Sequence, residues 1–326
     1  MTGPNLHLND SIGSLFIGVL FAVMLYGLGC AQTLYYARAY PKDPLTTKGL
    51  VALMWTIDTA RTILDVAVVW QFTVTSHANP SGLMNLVNTF YAEFFLNSLT
   101  VLIVQLYFIH SIWRIMADGR KWFRVPMTIA AIILALLSFS GGCGTVYRAS
   151  LNHLLTAVFE NVTVPASIAT VTAVVTDVYI TASLCMALSA GRTGFGRTEY
   201  FISMLTGYAI RRGFFTALIQ ALHFLTYIGT LKQNSLYWMI FHFPASKVYV
   251  NSLLAVLNVR NYIREGGGTQ VYAASGASMH MRPMQNSIGM TSLPPTSHIG
   301  VSSSPQTRII LTKEVVRDDG RIKGMA

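Results

Sequence analysis

The chain has 326 residues, 52% of them hydrophobic and only 11% charged, with a mean hydropathy of +0.49. A water-facing protein is typically about a quarter charged, so too few ionisable side chains are present to cover a solvated surface, and lipid must face much of it. This excludes a soluble enzyme, a nucleic-acid-binding module and a disulfide-stapled secreted scaffold. The three cysteines, Cys30, Cys143 and Cys185, are odd in number and sit in or at the ends of apolar runs, where small buried thiols are ordinary. With 23 Lys and Arg against 13 Asp and Glu, the net charge of +10 becomes a question of which side of a membrane the cations occupy.

Seven apolar stretches, 12–36, 50–72, 89–113, 125–147, 164–190, 213–231 and 236–258, are each long enough to cross a hydrocarbon core. A helix needs about 20 residues for that, whereas a barrel strand needs about ten in alternation. The predicted fold class is therefore all-α, a seven-transmembrane helix bundle and an integral multi-pass membrane protein. The first stretch lacks a positive n-region and exceeds an ordinary h-region, so it reads as an anchor behind a short outer N-terminus, residues 1–11. One set of connections carries Arg38, Lys42 and Lys48; Arg114, Arg120, Lys121 and Arg124; Arg192, Arg197, Arg211 and Arg212; then Arg260 and Arg264. The opposite set carries only Arg148 and Lys232 near the segments. The cation-rich side is cytoplasmic by the positive-inside rule, which places the N-terminus outside and the C-terminus inside. Two N-x-S/T sequons, at Asn9 and Asn161, fall on the outer side as glycosylation acceptors.

Ahead of the sixth stretch, residues 198–212 place Phe201, Met204, Leu205 and Tyr208 on one face and predict an amphipathic lead-in at the inner interface, with the span starting at Gly213. The seventh contains His242, Pro244 and Lys247 and is kept because the tail opens with Arg260 and Arg264. From 259 to 326 the sequence loses any apolar period, with three consecutive glycines at 266–268 and a Ser- and Pro-bearing stretch at 287–305; it reads as a disordered cytoplasmic tail.

The informative residues are those that lipid cannot host. Asp58, Arg61 and Asp65 project from one face of the second span, so Arg61 can pair with either carboxylate inside its own helix. The third span adds Glu93 and Asn97, the fifth Asp177, and the seventh Lys247, Asn251 and Asn258. Six charges turned toward lipid would cost on the order of 15–20 kcal/mol at 2.5–3.5 each, so they must face one another or water inside the bundle. Four carboxylates against Arg61 and Lys247 leave a negative surplus, which calls for a proton, a bound cation or a hydrated cavity. Gln220 and His223 in the sixth span read as interhelical hydrogen-bonding groups. A retinal Schiff base on Lys247, with Asp177 or Glu93 as counter-ion, is disfavoured because Phe243 stands one turn earlier and no aromatic box is evident.

No zinc-protease helix, nucleophile elbow or phosphate-binding glycine pattern is present, and the histidines lack metal-ligand spacing, so neither catalysis, metal nor cofactor is expected. Aromatics near the span ends suit interfacial belts rather than nucleobase stacking.

Three runs resemble a known family: Thr176-Asp177-Val178-Tyr179-Ile180-Thr181-Ala182-Ser183-Leu184-Cys185, Arg192-Thr193-Gly194-Phe195, and Lys247-Val248-Tyr249-Val250-Asn251-Ser252-Leu253-Leu254-Ala255-Val256-Leu257-Asn258-Val259-Arg260. Over about 173–260 the chain is similar to a fungal, basidiomycete-type family of multi-span membrane proteins that carry a C-terminal domain of unknown function, family 6534. The resemblance implies a seven-span membrane protein and no particular activity. Where relatives tend to have Thr-Ile-Asn-Thr-Gly ahead of the sixth span, this chain has Ala209-Ile210-Arg211-Arg212-Gly213, which adds two cations.

The leading functional expectation is a receptor-like protein with a polar site inside the bundle for a small ligand or ion. Its basic inner loops suit an acidic cytoplasmic partner or anionic lipid. The rivals are a transporter or channel for a proton, cation or small solute, and a membrane scaffold whose ion pairs serve assembly alone.

Overall fold

The computed structural model describes residues 12–75, 88–116, 121–151, 155–190, 196–231 and 235–269. The chain divides into two units, residues 1–277 and 278–326, and every described helix belongs to the first. Among the described residues there are seven long α-helices and no strand: α1 (Ile12–Ala39), α2 (Leu45–Trp70), α3 (Asn88–Ile115), α4 (Lys121–Ser150), α5 (Leu155–Ala190), α6 (Gly196–Thr230) and α7 (Met239–Thr269). A π-helical turn, Gln71–Thr75, closes α2. The sequon at Asn9, the loop cations Arg120, Arg192 and Lys232, and the tail beyond 269 lie outside the described residues.

Five helices, α1, α3, α4, α5 and α7, are long and apolar enough to cross a bilayer, as expected of an integral multi-pass membrane protein. The remaining two are as long: α2, at 26 residues, runs about 39 Å at 1.5 Å per residue, more than a hydrocarbon core of about 30 Å. They fall short in apolarity because α2 carries Asp58, Arg61 and Asp65, and α6 carries Gln220 and His223 as well as Arg211 and Arg212. The outer surface is apolar on helix after helix: Phe16, Leu20 and Met24 on α1, Ile63 and Val66 on α2, Ile129 and Ile133 on α4, Val175 and Val178 on α5, and Phe214, Phe215 and Leu225 on α6 are all exposed. Asp58, Arg61, Asp65, Glu93, Asp177 and Lys247 are buried instead. This inversion is what a lipid solvent requires.

Each helix packs on the next in sequence, and α7 closes the ring on α1; α3 also reaches α5 and α7, and α2 reaches α7. Helix α7 is the most enclosed of the five apolar helices. Two apolar clusters fill the interior. One is built around Met54, Val104, Phe108, Tyr249 and Leu253, the other around Leu15, Val68, Phe90, Trp238 and Phe243. On α2, α3 and α7 the buried charged residues Asp58, Arg61, Asp65, Glu93 and Lys247 lie in sequence between members of the two clusters.

Small residues set the closest helix contacts. A Cβ on Gly18 of α1 would lie 2.5 Å from the Met239 carbonyl oxygen at the start of α7, and one on Gly141 of α4 would lie 2.7 Å from the Ala169 backbone nitrogen of α5. Only hydrogen fits, which lets the backbones approach as van der Waals packing in membranes favours. The α4–α5 seam is pinned further by Ser138 Oγ donating to the Ala169 carbonyl at 2.9 Å.

At the opposite end, Pro44 precedes α2 in extended conformation, and its carbonyl accepts from the Thr47 and Lys48 amides. Asp43 beside it receives Arg260 of α7 at 2.5 Å and the Tyr36 hydroxyl at 2.8 Å. Tyr40 donates to the Asn258 carbonyl at 2.7 Å. These contacts tie the α1–α2 turn to α7.

The expected lead-in over 198–212 is corrected: residues 196–230 form one continuous helix. Arg211 is exposed, but Arg212, one residue and 100° further round, is buried. A carboxylate inside the bundle outweighs the hydration available at the interface. Helix α5 begins at Leu155, before the apolar run that starts at 164, and α7 continues through Thr269, past the boundary at 258.

Candidate functional site

Two ionic networks occupy the interior. The first joins α2, α3 and α7. Glu93 is held between two partners: Arg61 Nη2 binds its Oε1, and His242 Nε2 lies 3.0 Å from its Oε2. All three side chains are buried. About 7.5 Å further along α7, five residues at 1.5 Å each, Lys247 lies 2.8 Å from Asp58 Oδ1. Its ammonium also donates to the Asp58 carbonyl at 2.9 Å and to Thr62 Oγ1 at 2.6 Å. Of the three ammonium protons, two go to the Asp58 carbonyl and Thr62 Oγ1, while Asp58 Oδ1 meets the ammonium as an ion pair without a hydrogen bond. Asp65 is left 4.0 Å from Lys247 with neither carboxylate oxygen hydrogen-bonded among the described residues. The network thus holds three carboxylates against two permanent cations.

The second network joins α3, α5, α6 and α7 around Asp177. Arg212 Nη2 donates to Oδ1 at 3.1 Å, Gln105 Nε2 donates to the same oxygen at 3.3 Å, and the Tyr249 hydroxyl donates to Oδ2. The Arg212 guanidinium lies 4.2 Å from the centre of the Phe108 ring, a cation–π contact. Charge balances here, and the carboxylate accepts from three donors.

A cavity of about 90 Å³ opens between α3, α4, α5, α6 and α7, at the end of the bundle where α3, α5 and α7 begin. Its walls include Phe90, Tyr91, Phe94, Tyr227 and Trp238, with Asn97, Thr145, Thr170, His223 and His242 as polar members. The aromatic groups are mutually braced. Phe94 stacks on His242 at 4.2 Å between centroids, Tyr227 meets Trp238 edge-on at 5.8 Å, and the two histidines are 5.1 Å apart. His242 therefore connects the cavity to Glu93 and, through it, to the first network. A smaller cavity of about 50 Å³ shares Asn97, Ser98 and His223 with the first and runs toward Gln105 and Gln220. A third, of about 360 Å³, opens at the opposite end, lined by Tyr107, Phe108, Leu188, Leu205 and Arg260. Beside it, burial works against ionisation of Asp43, but the hydrogen bonds from Arg260 and Tyr36 outweigh it and hold the carboxyl below its ordinary range.

The structure redistributes the residues expected to form one site. Arg61 crosses to Glu93 instead of pairing within α2, Asp58 takes Lys247, and Asp177 stands apart with Arg212. Asn97 is the member that borders the cavity, and its Oδ1 has no hydrogen-bond partner among the described residues. Asn251 Nδ2 donates to the Leu25 and Lys247 carbonyls, and Asn258 Nδ2 to the Gln32 carbonyl. Both asparagines fasten α7 to α1. Asn161 is exposed and lies inside α5, in a helix rather than a loop.

Sequence reasoning missed Arg212, His242, Gln105 and Tyr249 as network members. For Arg212 the signal was present, an arginine pair beside a span whose carboxylate lacked a cation. The aromatic cluster was not visible, because its members come from α3, α6, α7 and the turn before α7.

No curated protein and no solved structure matches the chain. Residues 173–262 match the model of a family described as a family of unknown function, DUF6534. The matched stretch holds Asp177, Arg212, His223, His242 and Lys247, so the part of this membrane protein that is similar to that family contributes to both ionic networks and to the aromatic cavity.

Proposed function

We propose that the protein is a receptor-like, seven-span membrane protein that binds a small organic molecule in the aromatic cavity. In this reading α2 and α6 cross the bilayer with the other five helices, because their ionisable residues are matched inside the bundle and their outward faces are apolar. The cation-rich connections support a cytoplasmic C-terminus, an orientation in which the cavity faces outward. The observation that carries the reading is the cavity itself: braced rings, with a few polar groups to fix orientation, is the usual composition of small-molecule sites. The histidine at its floor is joined directly to the network that holds α2, α3 and α7, so an occupant is coupled to helix packing.

One observation favours transport as a second reading. Cavities lie at both ends of the bundle, and the layer between them, Arg212, Asp177, Tyr249 and Phe108, is ionisable and aromatic. Two assays on the purified full chain separate the readings. A receptor shows ligand-stabilised melting in detergent and no flux in liposomes. A transporter shows pH- or solute-dependent flux that Asp177→Asn abolishes. Melting that no small molecule shifts, together with absence of flux, refutes both readings and leaves a scaffold.

A further inference from the structure

We infer that the occupant of the aromatic cavity is a small organic cation, a protonated amine or ammonium with an apolar face no larger than about one ring. This rests on the cavity being a ligand site, and three features give the charge. The rings of Phe90, Phe94, Tyr227 and Trp238 line the cavity, and among the described residues no Lys or Arg does. Ring quadrupoles attract cations, Trp most strongly, and aromatic cages are a common receptacle for ammonium groups.

The polar groups at the cavity are set to accept. The Glu93 carboxylate can only accept, so His242 Nε2 donates to it across 3.0 Å. In neutral imidazole the other nitrogen then carries the lone pair. That nitrogen, Nδ1, has no hydrogen-bond partner among the described residues, and neither has Asn97 Oδ1. With His242 neutral, a ligand that donates satisfies both, whereas a carboxylate would meet two lone pairs.

The adjoining network carries the complementary charge. Asp58, Asp65 and Glu93 face Arg61, Lys247 and, at Glu93, His242, while Arg212 is engaged by Asp177 in the second network. With His242 neutral, the formal count of three carboxylates against Arg61 and Lys247 leaves one negative charge on the α2–α3–α7 side of the cavity. A monocation completes it across the His242–Glu93 contact, where a low local dielectric makes the attraction far stronger than in water.

The test uses the full chain in nanodiscs and three probes of nearly one shape: benzylammonium, benzyl alcohol and benzoate. Binding is read by calorimetry and by Trp fluorescence. The expected order is benzylammonium tightest, by on the order of tenfold over the alcohol, with benzoate weakest. Trp238→Leu removes the strongest π face and should cut benzylammonium affinity on the order of tenfold while changing the alcohol less. Should that variant fail to fold, Trp238→Phe, which keeps a weaker face, is expected to move the same way by a smaller factor. Alcohol or benzoate binding as tightly as the amine overturns the inferred charge and leaves the cavity a ligand site. Failure of all three probes to bind at millimolar concentration overturns both.

Discussion

Replacing Arg212 by Met removes the cation opposite Asp177 and keeps most of the side-chain volume. Asp177 then keeps the Tyr249 hydroxyl and the Gln105 amide and loses its counter-charge in a site closed to solvent. Breaking a buried pair from one side costs about 3–5 kcal/mol, or about 6–20 °C in melting temperature for a bundle of this size. The reverse single change, Asp177→Asn, should be milder, about 1–3 kcal/mol for a buried donor left without its acceptor. Its amide oxygen still accepts from Tyr249, and the stranded guanidinium retains the Phe108 face at 4.2 Å. With both changes no uncompensated charge remains, and the double variant should lie within about 2 kcal/mol of the parent, since buried pairs replaced by apolar groups are often near neutral. Thermal melting of the four proteins in one detergent, followed by size-exclusion fluorescence, closes the cycle. Additivity within about 0.5 kcal/mol would refute the pairing, as would a loss under about 1 kcal/mol for Arg212→Met, the behaviour of an arginine extending to the interface.

Asp65→Asn removes a carboxylate with no hydrogen-bond donor of its own, so melting should stay level or rise by up to about 1 kcal/mol equivalent while benzylammonium binding weakens. Asp58→Asn takes the counter-charge from Lys247 and should cost about 3–5 kcal/mol; equal effects at the two positions would contradict the division of roles. Gly18→Ala drives a methyl into the Met239 carbonyl and should lose about 1–3 kcal/mol. Gly207→Ala, where a Cβ meets nothing within 4 Å, should gain about 0.5–1 kcal/mol in helix propensity; the same melting assay reads both, and a reversed order would rule out the α1–α7 contact. Because the folded Asp43 carboxyl titrates below its unfolded counterpart, its stabilisation is complete above about pH 4 and is lost as pH falls through the folded value. The melting difference between parent and Asp43→Asn, about 0.5–1 kcal/mol, should therefore shrink on acidification below pH 4 and stay constant above it.

The membrane class was legible in the sequence because lipid imposes one rule everywhere: long apolar runs with the charges turned inward. The burial of Asp58, Arg61, Asp65, Glu93, Asp177 and Lys247 follows from that rule alone. Which charge meets which does not, because the spacing on one helix is silent about the rotation of its neighbours. Arg61 had two carboxylates within reach on its own face, yet Glu93 on α3 took it. Arg212 was misplaced because a local amphipathic pattern over 198–212 competed with a long-range demand from α5, and the demand prevailed. The Phe94–His242–Trp238 cluster is assembled across a wide sequence separation and leaves no local periodicity to read.

The three ionisable groups of α2 find their partners on α3 and on α7, the last helix to be synthesised in this bundle. While the ribosome is still short of residue 239, Asp58 and Asp65 have no Lys247 to meet, and on the proposed seven-span reading α2 alone would be a poor substrate for lateral release from the translocation channel at roughly 2.5–3.5 kcal/mol per charge. That reading then requires the early helices to wait in a sheltered intermediate until α7 arrives, and a chain truncated ahead of Lys247 should be retained by the insertion machinery and degraded instead of accumulating in the membrane.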